Sequence, residues 1–282
     1  MVCKLCSGLG HNVRTCAAVM SLEDMFAKLE LVSNPKNKKA TTKRMVDNQE
    51  KIESKTKVST EDTGKVFEKA ICLRYDIEYV GPYKYGLERP NQILPYLHSL
   101  PELFPSCVHT AEKGSRYDFT STDGLKHLSA KTSKRRQAKI APQVYGQCSV
   151  EKLCKAMSWD SEMEQVAFKE KFQNSIIDLL KLFEQHTFDC DIIYYNEARK
   201  DVTYLKKSTD IDWSNKEFIW TKHWDKWNNS TTLKVKVDEK FIPIFESQIH
   251  SKGRTNMANR WCFDNLLKVF AEHFTITNLS KF

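Results

Sequence analysis

The chain is 282 residues long, 40% hydrophobic, and carries a formal net charge of +8. That length can bury one sizeable core plus a small appendage, and the charge favours a polyanionic partner. No apolar run approaches a membrane span, no signal peptide is read, and the nine cysteines follow no disulfide framework. The expectation is therefore a soluble, intracellular protein with no membrane partner.

The chain begins with a metal-ligand spacing. In CKLCSGLGHNVRTC, Cys3, Cys6, His11 and Cys16 follow C-x2-C-x4-H-x4-C. Three thiolates and an imidazole suit a tetrahedral, structural Zn²⁺. Gly8 and Gly10 give the short loop its backbone freedom, and the metal must supply folding energy that so short a segment cannot find in a core. The spacing and the tail GHNVRTC resemble the CCHC zinc knuckle, with Gly10 at its glycine and Arg14 at its basic position. The resemblance implies single-stranded RNA or DNA, or a partner protein, as what the knuckle touches. Leu5, Leu9 and Val13 stand between the ligands, where many knuckles carry a stacking aromatic.

The knuckle is assigned residues 1–18. Residues 19–33 read as a short amphipathic helix, with Leu22, Met25, Phe26 and Leu29 on one face after Ser21. Residues 34–58, dense in lysine, read as a basic flexible linker. The main domain is expected over 59–282. It opens with a helix capped by Ser59 that carries Val66, Phe67, Ala70 and Ile71 on one side. SRYDFTSTDGLKHLSAKTSK reads as a hairpin turning at Asp123–Gly124. A long helix is expected over 161–186 behind the capping box Ser161-x-x-Glu164, then a buried strand over 188–196. Strands follow at 232–237 and 241–250, and a helix over NRWCFDNLLKVFAEH. The mixture predicts an α/β or α+β domain around a central sheet.

Chemistry concentrates on the hairpin. Asp118 on its first strand and Lys131 on its second can reach one edge of the sheet. With a carboxylate from a nearby helix, for which Glu68 is the candidate, they would hold Mg²⁺ and activate water against a phosphodiester. Directly after Lys131 the sequence is crowded with Lys134, Arg135 and Arg136, and then carries Gln143 and Gln147. Lysine and arginine grip phosphates and glutamine reads base edges, although composition alone equally allows a solvated loop.

This layout resembles the PD-(D/E)XK nucleases and, among them, the type II restriction endonucleases. Glu68 in GKVFEKA, Asp118 in YDF and Lys131 in SAK fall at the family's catalytic positions. The resemblance implies a restriction-endonuclease-like mixed sheet flanked by helices, catalytic Mg²⁺, double-stranded DNA as substrate and a homodimer. It also implies DNA contacts from His250, Lys252, Arg254, Asn256 and Arg260 in QIHSKGRTNMANRW. Ser129 stands where the family has Asp or Glu, and Tyr117 where it has proline. Glu68 is then the substitute carboxylate, ahead of Glu151 and Glu112, and the Ala130 carbonyl is a further oxygen. Ser129 also keeps open a non-catalytic nucleic-acid-binding protein on an inactive nuclease fold. A repair, recombination or RNA-processing nuclease is a third reading. A knuckle fused to such a nuclease would suit a large DNA virus.

Two other clusters are set aside. Trp213, Trp220, Trp224 and Trp227 read as packing residues rather than a stacking platform for bases. Cys148 and Cys154, with His109 or His186 elsewhere, read as structural cysteines rather than nucleophiles.

Overall fold

The computed structural model describes residues 60–112, 115–249 and 256–280. The zinc-knuckle ligands, the 19–33 helix and the 34–58 linker lie outside the described residues. So do His250, Lys252, Arg254 and the side chain of Asn256.

Helix α1 (Thr60–Tyr75) buries Val66, Phe67, Ala70, Ile71 and Cys72, the face its spacing marks. Short helices α2 (Glu88–Ile93) and α3 (Leu100–Leu103) pack Ile93 and Leu100 into the same cluster. Strands β1 (Cys107–His109), β2 (Phe119–Ser121) and β3 (His127–Ser133) then run as an antiparallel meander. The expected β2–β3 turn is present. Gly124 takes φ +74°, where a side chain would be strained, and Asp123 accepts from the Leu125 N–H.

The chain continues through β4 (Lys139–Ile140), β5 (Gln147–Ser149) and helices α4 (Val150–Ala156), α5 (Gln165–Asn174) and α6 (Ile176–Gln185). It returns as β6 (Asp191–Asn196), parallel to β3, with Leu128 opposite Asp191 and Ser133 opposite Asn196. Then follow β7 (Asp201–Lys207), β8 (Phe218–Trp220), β9 (Ser230–Val237), β10 (Lys240–Ile249) and β11 (Asn256–Cys262). Helix α7 (Phe263–Val269) and strand β12 (Phe274–Asn278) complete it.

One sheet has the order β1-β2-β3-β6-β7-β12, mixed because of the β3–β6 pairing. A second, antiparallel sheet runs β4-β11-β10-β9-β8, with β5 also on β11. The mixed sheet is the middle layer. From β6, Ile193 and Tyr195 face the α1 cluster, while Ile192 and Tyr194 face a larger core shared with α5, α6 and the second sheet. A strand buried on both faces must be apolar at its centre, and Ile192–Tyr195 of β6 are. The expected α+β layout, a mixed sheet flanked by helices, is therefore present, with a second sheet added to it.

Three expectations are corrected. The 161–186 helix starts at Gln165, with Glu164 at its N-cap, and the Ser161 capping box does not form. It also breaks at Ser175, whose ψ moves to 26°. Phe168 and Phe172 pack near Trp159 and Trp227, whereas Phe183 stacks on Phe245. The 188–196 strand begins at Asp191. NRWC is strand rather than helix, because pairing with β10 drives Trp261 into the core between Trp213 and Phe245.

Trp213 and Trp227 are fully buried and Trp220 packs against the same core, so three of the four clustered tryptophans are packing residues. Trp261 also donates from Nε1 to the buried Thr187 Oγ1 at 2.7 Å. Trp261→Ala is expected to cost about 3–5 kcal/mol in denaturant unfolding, against under about 1 kcal/mol for the half-buried Trp224→Ala. Equal losses would contradict this packing.

Candidate active site

Strand β3 sets the site by its alternation. Leu128 faces the α1 cluster, which leaves Ser129 and Lys131 on the opposite side. Asp118 lies one residue before β2 but stays in the ladder. Its N–H donates to Leu128 O at 3.2 Å, and its carbonyl accepts from the Thr110 N–H at 2.9 Å. The Asp118 side chain is held against β3. Oδ2 accepts from the Ala130 N–H at 2.7 Å and from the Ser129 hydroxyl at 3.0 Å. Oδ1 accepts no hydrogen bond among the described residues. Ser129, where the resemblance leads one to expect an acidic residue, is instead a donor to the aspartate.

Glu68 on α1 is held in the same lopsided way. Its Oε2 meets the Tyr79 hydroxyl at 3.5 Å and His109 Nε2 at 3.4 Å, while Oε1 has no donor among the described residues. His109 is buried, and its Nδ1 accepts from the Val80 N–H at 2.9 Å. The ring proton must therefore sit on Nε2, facing Glu68. Lys131 Nζ makes no ion pair or hydrogen bond with the described residues, yet its charge acts on Asp118.

The electrostatics are tense. Burial pushes the Asp118 carboxyl above the ordinary carboxylate range. Lys131 pulls it down, Glu68 pushes it up, and the Ala130 and Ser129 donors offset part of the burial. Glu112 and Glu151, the reserve carboxylates, are exposed.

These residues fit a hard divalent cation. Among the described residues, no group of three or more His, Cys, Asp or Glu side chains could hold a metal. A cation at Asp118 and Glu68 would therefore take its other ligands from neutral oxygens and water, which is the habit of Mg²⁺. Each carboxylate has one oxygen anchored and one unclaimed, as such a ligand requires.

The basic turn after β3 is built rather than loose. Asn196, fully buried, donates to Arg135 O at 3.0 Å and Arg136 O at 3.2 Å, and Arg199 Nη1 donates to Arg136 O at 2.7 Å. With their carbonyls tied, Arg135 and Arg136 project into solvent, beside the half-buried Lys134. Gln147 is exposed on β5. Gln143 points inward, donating from Nε2 to Ser129 Oγ at 2.6 Å. Arg260 lies on β11, 3.5 Å from Glu246, which also pairs with Lys139. Cys148 and Cys154 are buried, and burial pushes the Cys148 thiol up to about 11, far from a nucleophilic thiolate.

Sequence reasoning missed Tyr79, Asn196, Arg199 and the Glu68-holding role of His109. A polar residue closing an otherwise apolar strand, as in CVH or IIYYN, was the available signal for His109 and Asn196.

A mixed sheet with an early-helix glutamate, a hairpin aspartate and a lysine on the second hairpin strand is the arrangement that the sequence resemblance leads one to expect. The chain is similar to the type II restriction enzyme CviAII of Paramecium bursaria Chlorella virus 1, with 37% identity over 222 residues. The match covers 78% of this chain and 63% of that enzyme, so the chain spans less than two thirds of its relative's length. No family model and no solved structure matches the chain. Among the described residues, no helix is long and apolar enough to cross a membrane.

The raised Asp118 pKa has a stability consequence. Between the ordinary carboxylate range and that raised value, the folded chain binds more protons than the unfolded chain. Stability therefore falls as pH rises through this window. Asp118→Asn removes the penalty while one side-chain oxygen can still accept both donors. In EDTA at pH 8 the variant is expected to melt above wild type, with the gap closing below the ordinary carboxylate range. A lower melting temperature at pH 8 would refute the assignment of strain to Asp118.

Proposed function

We propose that the chain is a Mg²⁺-dependent endonuclease that hydrolyses phosphodiester bonds of double-stranded DNA at a short specific site. The observation that carries this reading is the pair of half-anchored carboxylates, Asp118 and Glu68, whose field is shared by Lys131, which has no ion pair among the described residues. The similarity to a type II restriction enzyme supports it. Asp118 and Glu68 would hold the cation, which when bound neutralises charge on the phosphoryl oxygens and lowers the pKa of its water. Lys131 presents a fixed positive charge to the scissile phosphate. Ser129 and the Ala130 N–H keep Asp118 aimed, and Tyr79 and His109 do the same for Glu68.

Arg135 and Arg136, on their braced turn, would grip backbone phosphates together with Lys134. His250, Lys252, Arg254, Asn256 and Arg260 are assigned to the DNA side on the family resemblance, and Gln147 because an exposed glutamine can read base edges. Cys3, Cys6, His11 and Cys16 would hold a structural Zn²⁺, making the knuckle a tethered second grip that adds affinity rather than chemistry. A palindromic site would be met by a homodimer.

The second reading, a nucleic-acid-binding protein on an inactive nuclease fold that does not cut, is favoured by Ser129 alone. One experiment separates the two. With long duplex DNA and Mg²⁺, wild type is expected to give discrete fragments that vanish with EDTA. Asp118→Ala and Lys131→Ala should each slow cleavage by about 10²–10³-fold or more while still shifting DNA on a gel. Normal cleavage by either variant would remove that residue from the site. A sequence-selective complex that never cuts would establish the binding protein.

A further inference from the structure

Gln143 sits in a turn that the fold holds against its own preference. Val144, β-branched, takes φ +63°, a conformation that costs such a residue on the order of 1–3 kcal/mol. A Cβ at Gly146 would collide with Ala141 and the Pro142 carbonyl, so the turn closes only with glycine there. It is pinned from three directions. The Gln143 N–H donates to His186 O at 2.9 Å, Asn259 Nδ2 donates to Tyr145 O at 3.0 Å, and the Asn259 N–H donates to Gly146 O at 2.8 Å. Surface loops that only connect strands do not need such bracing.

The result is one aimed side chain. Gln143 Nε2 donates to Ser129 Oγ, and the Ser129 hydroxyl in turn donates to Asp118 Oδ2, so the amide joins the Asp118 network. This chain of donors fixes the amide orientation. Turning the amide over would put its NH₂ where Oε1 lies and take the Ser129 proton away from Asp118. Oε1, bonded to the same carbon as Nε2, is buried and accepts no hydrogen bond among the described residues. A buried carbonyl oxygen without a donor costs on the order of 1–3 kcal/mol and calls for an explanation. The acidic residue that the family places at position 129 is missing at the same spot.

We infer that Gln143 is an active-site residue whose Oε1 supplies a neutral oxygen to the divalent cation, replacing the carboxylate that Ser129 does not provide. A hard cation accepts amide oxygens alongside carboxylates and water. Gln143 then has a role different from base reading, and the strained turn has a purpose. The inference rests on Asp118 being a ligand of that cation, and the test separates the two.

Mn²⁺ binding to the full chain, followed by loss of the free-ion paramagnetic resonance signal, reads the site without any cleavage. Wild type should bind Mn²⁺ and Asp118→Ala should not. Gln143→Ala should weaken binding about tenfold, and Gln143→Glu should restore or tighten it, because it returns a charged oxygen to the position. If the alanine variant does not fold, the glutamate variant decides alone: binding at least as tight as wild type supports the role, and weaker binding overturns it. Where both fold, a glutamate variant no tighter than the alanine variant, or equal affinity in all three, overturns the Gln143 assignment and leaves the Asp118 site standing. Absence of Asp118-dependent binding in wild type overturns both.

Discussion

The parallel pairing of β3 with β6 is the constraint on which the rest of the molecule depends. Every other strand pairing described is antiparallel. Parallel neighbours cannot be joined by a tight turn, so the chain between Ser133 and Asp191 must make a long crossover. That crossover carries the basic turn, the braced turn at Gln143 and helices α4 to α6. The basic turn leaves directly from the end of β3, the Gln143 turn follows β4, and the helices cover the opposite side of the mixed sheet from α1. Asn196, the last residue of β6, then reaches back to tie down the basic turn. Site and scaffold are consequences of one pairing.

Two carboxylates, Glu184 buried and Asp118 partly buried, are treated very differently by the fold. Glu184 lies in the larger core with Oε2 taking the Trp213 indole N–H at 2.6 Å, and Oε1 taking the Ile211 N–H and Lys207 Nζ. Both its oxygens are satisfied, as a buried charge requires. Asp118 keeps one oxygen without a donor among the described residues, lies in the field of a second carboxylate and bears the cost of burial. A group left under-satisfied in this way trades stability for function, and a bound cation would relieve it.

The scaffold was legible where periodicity and turn chemistry were strong. The α1 face, the Asp123–Gly124 turn and β9 with β10 follow from residue type and spacing alone. Asp118, Lys131 and Glu68 were reached through short motifs, and the structure brings Lys131 and Glu68 into the electrostatic field of Asp118. Other features depended on contacts far apart in sequence. NRWC has helical company in CFDNLLKVF, and only its pairing with β10 makes it strand. Gln143 looked like a base reader because its inward direction is set by Val144, Gly146 and a partner at Asn259. His109 was invisible as a support for Glu68, since 41 residues separate them.

The central claim is that Asp118 and Glu68 form a divalent-cation site next to Lys131. Crystals soaked in Mn²⁺, with the ion located by its anomalous scattering, test it most directly. A peak within coordination distance of Asp118 and Glu68 is the expected result. A peak held by other side chains, with these two carboxylates free of metal, would contradict it.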